Sequence, residues 1–337
     1  MLSISVILPV YNGAKYLKNA LDSVSSQGID LSTIEIIATD DDSTDGSREI
    51  LAAASATLPI TVISGACKGN WVASTNLALA RAKGEFISFL HQDDRYLPNK
   101  LKALLAAAKQ HPDANIFAHP VDFINSEGRA IGTWRFPAKT SGWRLRTPPI
   151  QSLQAAEWFR PLLVQNNLAV PGVMFRRSLL NDVGPLDENL RYTADWDFWL
   201  RLASQQKLVL LRETLAEYRI HQEAQTVNFA EKQTEYGENL QTVVNRHVDK
   251  IDIFPDTTHH KAKTYRSLAY LGNATNLWLA SHVSTNPQSF TTLIGAIWKA
   301  GLRNAVHYPR LSQIRSRVLA RLKAKVNPRS SSENSSL

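Results

Sequence analysis

The chain has 337 residues, of which 44% are hydrophobic and 20% are charged, and its formal net charge is +8. A chain of this size can bury a large core without a disulfide or metal to hold it together. The single cysteine, Cys67, excludes an internal disulfide, and no run of 18 uninterrupted apolar residues predicts a membrane-spanning helix. Because the first residues also lack a secretory signal pattern, we expect a cytoplasmic protein.

The positive charge is concentrated in the last quarter of the chain. Residues 257–337 contain 12 Lys and Arg and one acid, Glu333, so this segment carries +11 and residues 1–256 carry −3. Within it, residues 311–326 place apolar side chains on one helical face and basic ones over the rest. A basic amphipathic helix is typical of contact with an anionic membrane surface, and nucleic acid is a second target for such charge. Alternatively, the apolar face packs on the protein and the charges are merely solvated.

The first hundred residues alternate between strand and helix patterns. β-Branched and apolar runs predict four strands, at residues 3–10, 34–39, 60–63 and 85–90. Helical spacing predicts three helices between them, at residues 14–27, 47–56 and 70–84. This alternation predicts a three-layer α/β fold around a mainly parallel sheet.

The pattern is more varied beyond residue 97. Strands are predicted at residues 116–124 and 130–136, as an antiparallel pair, and then at 171–177, 208–211 and 215–221. Helices are predicted at residues 97–112, 151–166 and 195–205, with a loop at 137–150. From residue 223 the pattern is almost wholly helical, and residues 327–337 are of low complexity. The chain is therefore predicted to have an α/β domain over 1–222, a helical region over 223–326 and a disordered tail over 327–337.

Three clusters of carboxylates stand out: residues 40–42, Asp93 with Asp94, and Asp195 with Asp197. The first two follow predicted strands directly, and open α/β sheets bind ligands at the carboxyl ends of their strands. Clustered carboxylates repel one another unless a cation lies between them, and a divalent metal on a phosphorylated substrate is a common one. The clusters therefore predict an enzyme acting on a nucleotide or sugar phosphate. Taken singly, an acidic pair is equally consistent with a solvated loop or a helix cap.

The clusters suggest different roles. Asp40 and Asp41 are placed to accept hydrogen bonds from a ligand, whereas Asp93 and Asp94 suit Mg²⁺ or Mn²⁺. Asp195 lies in an aromatic stretch near a helix start, where burial would raise its proton affinity and suit it to act as a general base. The alternative for Asp195 is a first-turn acid that the helix dipole stabilises.

Four motifs in order resemble family 2 glycosyltransferases of the GT-A fold over about residues 3–222. They are SVILPVYNGAKYL, IEIIATDDDSTDGS, EFISFLHQDD, and GVMFRR followed by VGPLDENL and ADWDFWLRL. The resemblance implies a GT-A-type mixed, mainly parallel sheet flanked by helices, with a Rossmann-like nucleotide-binding half and here a helical C-terminal extension. It also implies an inverting transferase that uses a nucleotide-diphosphate sugar donor and a divalent metal, Mn²⁺ or Mg²⁺.

The resemblance also implies roles for individual residues. The implied donor-binding residues are Pro9, Tyr11, Asn12, Asp40, Asp41, Asn76, Asp93 and Arg201. The implied metal ligand is Asp93, with His91, Asp94 and His221 as further candidates. Asp195 matches the acid that serves as the general base.

Three residues depart from the family pattern. Asp42 stands where glycine is usual, so the turn there would require a positive φ from an aspartate. His91 stands where the first acid of the metal motif often lies. Thr75 stands where an arginine often precedes Asn76, which removes one cation expected near the donor.

These features predict a transferase of cell-surface polysaccharide or glycolipid assembly, with a glycan or lipid-linked acceptor. It is predicted to be cytoplasmic, with peripheral contact at the inner face of the membrane, and nucleic acid is not the expected partner. One alternative is a metal-dependent nucleotidyltransferase, although the first strand is not followed by the Gly-rich basic loop that holds a triphosphate. The other alternative is a catalytically degenerate protein that binds membrane surfaces.

Overall fold

The computed structural model describes residues 2–137, 150–221 and 233–281, together with Tyr308. Most of the predicted loop at 137–150, the predicted basic helix at 311–326 and the predicted tail at 327–337 lie outside these residues. The predicted division of the chain at residue 222 falls in a further segment that is not described, 222–232.

The centre of the fold is an eight-stranded sheet with the order β3-β2-β1-β4-β10-β6-β11-β9. Its strands are β1 (Ile4–Val10), β2 (Ile34–Asp40), β3 (Ile60–Ser64), β4 (Phe86–Phe89), β6 (Ile116–Ala118), β9 (Ile150–Leu153), β10 (Val173–Arg176) and β11 (Leu208–Leu211). The first four strands are mutually parallel, β10 is antiparallel to both neighbours, and β9 is antiparallel to β11. The mixed, mainly parallel sheet is therefore as predicted.

Helices cover both faces of this sheet, as a three-layer fold requires. They are α1 (Ala14–Ser25), α2 (Ser47–Ala54), α3 (Trp71–Leu79), α4 (Lys100–Gln110), α5 (Ala155–Val164), α6 (Leu179–Val183) and α7 (Ala194–Ala203). Side chains of α1, α2 and α4 share one core with Val6 and Leu8 of β1. Side chains of α3, α5 and α7 share the other core with Ile7. The two faces of β1 are thus both apolar, which explains its unbroken hydrophobic run.

A second, four-stranded sheet has the order β5-β12-β7-β8. It comprises β5 (Arg95–Tyr96), β7 (Val121–Ile124), β8 (Ala130–Trp134) and β12 (Ala216–Arg219). The predicted antiparallel pair is present as β7 and β8. The prediction of one strand over 116–124 is wrong, because β6 joins the large sheet and β7 joins the small one. The change of sheet occurs at His119 and Pro120, and proline has no N–H to donate to a ladder.

The predicted helix at 151–166 begins later than expected. Residues Ile150–Leu153 instead form β9, the edge strand beside β11. The helix α5 starts at Ala155, where the Glu157 carboxylate accepts a hydrogen bond from the Gln154 N–H at 3.0 Å. This contact satisfies an N–H at the helix start and fixes where the helix begins.

Residues 233–281, the described part of the C-terminal region, are mainly helical and pack on the preceding α/β fold. Its described helices are α8 (Gln233–His247) and α9 (His259–Ser281), joined by a 3₁₀ segment, Val248–Ile253. Arg160 of α5 forms an ion pair with Asp256 at 2.5 Å across this interface. None of the helices described in 2–137, 150–221 and 233–281 is both long enough and apolar enough to cross a bilayer.

Gly272 lets α9 cross close to α5. A Cβ atom at this position would lie 2.0 Å from the Val164 carbonyl oxygen, a backbone atom that cannot rotate away. We expect Gly272→Ala to lower the free energy of unfolding by about 1–3 kcal/mol through overpacking, measured by urea denaturation. Gly237→Ala is the control, because its Cβ would meet only the tip of the Leu277 side chain at 3.1 Å. That change should be neutral or gain up to about 1 kcal/mol of helix propensity, and equal losses in both variants would contradict the close crossing.

Candidate active site

The segments that follow β1 and β4 are fastened together by Gln92. Its side chain accepts a hydrogen bond from the Tyr11 N–H at 2.8 Å and donates one to the Tyr11 carbonyl at 3.0 Å. This pairing leaves the Tyr11 ring 46% exposed beside the strand ends, while Pro9 is buried within β1. Sequence reasoning missed Gln92, whose one signal was its position inside the HQDD motif.

Asp40 and Asp41 are both buried at the end of β2, and both engage the protein itself. The Asp40 carboxylate accepts from the Arg48 Nε at 2.6 Å. The two Asp41 oxygens each accept a backbone N–H at 2.5 Å, one from Cys67 and one from Gly69. Asp41 therefore holds the loop that follows β3 against the end of β2. The binding of a nucleotide by Asp40 and Asp41 stays a prediction.

The turn after β2 has the unusual backbone that the sequence predicted. Asp42 has a φ of 64°, and Asn12, which lies beside this turn, has a φ of 49°. The Asn12 side-chain oxygen accepts a hydrogen bond from the Thr44 N–H at 2.9 Å, and the Asn12 backbone N–H donates to the Ser43 hydroxyl at 3.0 Å. Asparagine and aspartate tolerate this left-handed region better than most residues. These hydrogen bonds thus hold the turns after β1 and β2 together at the carboxyl ends of the two strands.

His91, Asp93 and Asp94 form a compact cluster directly after β4. Their potential ligand atoms all lie within 4.8 Å of one another. Two atoms of these residues, His91 Nε2 and Asp94 Oδ2, are buried and have no hydrogen-bond partner among the described residues. Burial lowers the pKa of His91, which keeps the imidazole in the neutral form that binds metals. Burial and the neighbouring Asp93 charge raise the pKa of Asp94 well above its usual range.

Two residues at the end of the closing strand β12 and just after it, Arg219 and His221, contact this cluster. The Arg219 N–H donates to Asp94 Oδ1 at 3.0 Å, and its guanidinium donates to the Asp93 carbonyl at 2.9 Å. His221 Nε2 contacts Asp93 Oδ2 at 3.0 Å, while its Nδ1 is buried without a partner among the described residues. His221 therefore lies beside Asp93 in the structure, and its role as a metal ligand stays a prediction. The contacts of Arg219 could not be read from the sequence, because they span about 125 residues.

A buried lysine lies near this cluster. Lys100 is fully buried, donates to the Ser88 hydroxyl at 3.0 Å and lies 3.3 Å from the centre of the Tyr96 ring. Burial lowers the pKa of Lys100 well below its usual value, and attraction to Asp94 acts in the opposite sense. The attraction between Lys100 and Asp94 therefore favours the charged forms of both groups, against the effect of burial on each.

Asp195 lies half-buried in the first turn of α7. Its Oδ2 accepts a hydrogen bond from the Asn166 amide at 2.8 Å, a partner that sequence reasoning missed. Burial raises the pKa of Asp195 to about 6, and the hydrogen bond from Asn166 partly opposes that rise. A carboxyl group with this pKa is ionised at neutral pH and holds a proton well enough for general base catalysis.

Trp71 connects the start of α7 to the acidic cluster. Its ring lies against the His91 ring with centroids 5.3 Å apart, and its indole N–H donates to the Arg191 carbonyl at 2.6 Å. Because Arg191 precedes Asp195 by four residues, one side chain joins the segment that carries Asp195 to the cluster of His91, Asp93 and Asp94. Trp71 was not singled out from the sequence.

Three further positions of the family pattern serve the chain's own structure. Both amide atoms of Asn76 bind the Leu186–Glu188 segment. Arg201 donates to Asp197 at 2.9 Å and to backbone carbonyls of residues 183–185. Thr75 is buried and donates to the Trp71 carbonyl at 2.7 Å. Donor binding by Asn76 and Arg201 therefore stays a prediction.

The comparison with known families agrees with this geometry. Residues 5–183 match the model of glycosyl transferase family 2, and the chain belongs to that family. An uncharacterized glycosyltransferase of Rickettsia typhi is 28% identical over 239 residues, which cover 70% of each chain. An uncharacterized glycosyltransferase of Nostoc is 33% identical over 228 residues, or 65% of each chain. The prediction of a family 2 glycosyltransferase is confirmed.

Solved structures confirm the predicted GT-A fold. S. aureus TarS 1–349 in complex with UDP-GlcNAc superposes with a TM-score of 0.64 at 17% identity, over 97% of this chain and 89% of that chain. A mannosyltransferase of Pyrobaculum calidifontis in complex with GDP-Man and Mn²⁺ superposes with a TM-score of 0.50 at 13% identity, over 97% and 88%. At these identities, the likeness establishes the architecture alone.

Proposed function

We propose that the protein transfers a sugar from a nucleotide-diphosphate donor to a hydroxyl acceptor, with inversion at the anomeric carbon and with a divalent metal. The observation that carries this proposal is the arrangement of Asp195. Asp195 is a half-buried carboxyl group with a raised pKa. Trp71 contacts the His91 ring of the acidic cluster and donates to the Arg191 carbonyl, four residues before Asp195, so it links the cluster to the segment that carries this acid. A base beside a site for a charged leaving group is what a single displacement at a sugar carbon requires.

The acidic cluster has the chemistry of a Mn²⁺ or Mg²⁺ site. It offers carboxylate oxygens from Asp93 and Asp94 and an imidazole nitrogen from His91, within 4.8 Å of one another. The buried, unpartnered His91 Nε2 and Asp94 Oδ2 are atoms that a cation would satisfy. Oxygen ligands suit both metals, and an added imidazole favours Mn²⁺ over Mg²⁺. When bound, the metal would stabilise negative charge on the diphosphate leaving group.

The chain's own residues account for the remaining chemistry. Asp195 removes the proton of the acceptor hydroxyl as that oxygen attacks the anomeric carbon and the bond to the diphosphate breaks. A single displacement of this kind inverts the configuration, and it needs no carboxylate nucleophile. Asn166 orients the Asp195 carboxylate through the hydrogen bond at 2.8 Å. Gln92 fixes the position of Tyr11 at the edge where the nucleotide is expected to lie.

The pKa of Asp195 predicts the acid limb of the pH profile. Asp195 accepts a proton only when it is ionised, and burial raises its pKa from 3.8 to about 6. We therefore expect kcat/KM to fall as the pH drops through about 6, and to be level above pH 7 unless another group titrates. Initial rates of transfer between pH 4.5 and 8 measure this, with circular dichroism as the control for folding. An acid limb near pH 4 would contradict the role of buried Asp195.

A screen of nucleotide sugars tests the proposed function directly. The panel holds UDP-, GDP- and dTDP-sugars, each with and without Mn²⁺, and ligand binding is read as a rise in Tm. We expect one nucleotide class to raise the Tm in a Mn²⁺-dependent manner and to be hydrolysed slowly to the nucleoside diphosphate. Release of pyrophosphate from a nucleoside triphosphate would favour a nucleotidyltransferase. A Tm that responds to no nucleotide would favour a degenerate protein.

We further propose that the acceptor is a lipid-linked glycan of cell-surface polysaccharide or glycolipid assembly, reached from the cytoplasmic face of the membrane. The support is the charge of the C-terminal quarter, +11 over residues 257–337. Each basic residue close to an anionic surface contributes about 1 kcal/mol of attraction.

Removal of residues 310–337 is expected to abolish binding to anionic vesicles while leaving a folded, donor-binding protein. The truncation begins after Tyr308, because that residue is buried and lies beside Gly272 of α9. It removes seven Lys and Arg and one acid, so the attraction to phosphatidylserine vesicles should be lost. Vesicle co-sedimentation of the full chain should also weaken with salt, since the screening length is about 8 Å at physiological ionic strength.

The matched control keeps the full length and replaces Arg315, Arg317, Arg321, Lys323 and Lys325 by Gln. If charge drives the binding, this variant should behave like the truncation. Undiminished vesicle binding of the truncated protein would place the membrane contact elsewhere, and unfolding of that protein would place the segment in the core.

A further inference from the structure

A second carboxylate of α7, Asp197, is fully buried and bound by three basic side chains. It accepts hydrogen bonds from Arg201 Nε at 2.9 Å, Arg246 Nη1 at 2.9 Å and His247 Nε2 at 2.8 Å. Asp197, Arg201, Arg246 and His247 are referred to below as the Asp197 cluster. Arg246 and His247 come from the end of α8, about 50 residues further along the chain. The cluster therefore joins the C-terminal helical region to the helix that carries Asp195.

The charge balance of the cluster indicates that Asp197 is permanently ionised. Burial alone would raise its pKa, but the hydrogen bond from His247 and the charges of Arg201 and Arg246 outweigh burial and lower the pKa to about 2. A buried carboxylate is tolerated only when such partners surround it. Burial lowers the pKa of His247, so Nε2 donates to the carboxylate as a neutral imidazole. Asp197 is thus a fixed anchor rather than a group that exchanges protons.

The geometry of α7 couples this anchor to Asp195. The two acids lie two residues apart in the first turn of the helix, on different faces. Trp196 between them is also fastened, since its indole N–H donates to the Leu162 carbonyl at 2.7 Å. Arg246 extends the link through an ion pair with Asp187 at 2.9 Å, and the Tyr192 N–H donates to Asn239 of α8 at 3.3 Å. Contacts with α8 thus fall on both sides of Asp195.

We propose that Asp197 is a positioning residue, through which α8 fixes the first turn of α7 and keeps the Asp195 carboxyl group enclosed beside Asn166. In this proposal α8 of the C-terminal region contributes to the structure of the active site and is not an independent unit. This inference rests on the proposed role of Asp195 as the base. A displacement of about 1 Å at a reacting group can lower a rate by about 100-fold, so such an anchor has a functional consequence.

The test measures the titration of Asp195 itself and requires no substrate. The protein is labelled with ¹³C-aspartate, and the Asp195 carboxyl signal is assigned from the spectrum of Asp195→Asn. The variant His247→Gln removes the imidazole from Asp197 and keeps a polar side chain. We expect the Asp195 midpoint to fall from about 6 in the unaltered protein by at least half a pH unit, because a loosened helix end admits water and burial is what raises this pKa.

Asp256→Asn is the matched control. It breaks the ion pair with Arg160, which also joins the C-terminal region to the α/β domain but does not involve α7. This variant should lower the Tm and leave the Asp195 midpoint unchanged. A merely structural role for Asp197 would make the two variants alike, with lower Tm and the same midpoint in both.

An unchanged Asp195 midpoint in folded His247→Gln would overturn the proposal, as would an equal shift in Asp256→Asn. Should His247→Gln fail to fold, Arg246→Met provides the same measurement, since Arg246 is 39% exposed and its loss leaves the His247 contact in place. A shifted midpoint in a protein that binds no nucleotide sugar would support the coupling and refute the proposed function. The two failures are therefore distinguishable.

Discussion

Replacing Asp195 by Asn is expected to lower kcat by about 10²–10⁴ while the affinity for the nucleotide-sugar donor is kept. The amide has nearly the same shape as the carboxylate, but it cannot accept the proton of the acceptor hydroxyl. Because the base acts on the acceptor, donor binding should change little. Single-turnover rates and donor Kd by calorimetry, with the donor found in the screen, separate the two effects.

Asp113→Asn is a suitable control for this change. Asp113 is an exposed acid that pairs with Lys207. It lies just before β6, at the amino ends of the parallel strands, whereas the site lies at their carboxyl ends. Its replacement should leave kcat unaltered. Loss of donor affinity in Asp195→Asn, with kcat at saturation preserved, would show that Asp195 binds the donor and that the assignment as base is wrong.

Replacing Asp93 by Asn is expected to abolish metal-dependent transfer and to weaken Mn²⁺ binding by about 100-fold or more. Removing a residue that hydrogen-bonds to a metal ligand typically lowers metal affinity by about 10–100-fold. Removing a ligand itself should therefore lower the affinity by about 100-fold or more. The change also removes the charge that contacts His221 Nε2 at 3.0 Å. Electron paramagnetic resonance of free Mn²⁺, titrated with protein in the presence of UDP and, separately, GDP, measures the affinity without reference to activity.

The fold should survive this substitution, because the Asp93 side chain is 22% exposed and its main-chain carbonyl still accepts from Arg219. A Tm close to that of the unaltered protein is therefore part of the expectation. The comparison with His221→Gln assigns the role of the histidine. A small loss of Mn²⁺ affinity would indicate that His221 orients Asp93, and a loss as large as that of Asp93→Asn would indicate a ligand. Unchanged Mn²⁺ affinity in Asp93→Asn would refute the metal assignment.

Much of the first hundred residues follows from local sequence pattern. Helical spacing predicted a helix at residues 14–27, and the apolar side chains of α1 at positions 17, 20, 21 and 24 are all buried. The alternation of strand and helix placed the first two acidic clusters at the carboxyl ends of parallel strands, as observed for β2 and β4. The positive φ of Asp42 was also predicted, because a motif fixes the shape of a short turn. These features depend on neighbouring residues and are therefore readable from the sequence.

The local sequence pattern gave the wrong secondary structure where pairing with a distant strand determines the conformation. Residues 151–153 have an amphipathic pattern that reads as the start of a helix, yet pairing with β11 makes them an edge strand. Residues 116–124 read as one strand but divide between two sheets at Pro120. Hydrogen bonds to a distant strand outweigh the modest free energies of helix or strand propensity.

The sequence alone identified which acidic residues belong to the site. Only the tertiary structure showed which residues surround each of them. Asp93, Asp94 and Asp195 were identifiable from their motifs, because each motif places its acid on a local turn or helix start. The hydrogen-bond partners of these acids lie far away in the chain. They are Arg219 for Asp94, Asn166 for Asp195, and His247 for the neighbouring Asp197. Such contacts depend on how helices and sheets pack, which no local periodicity encodes, so only the folded structure could reveal them.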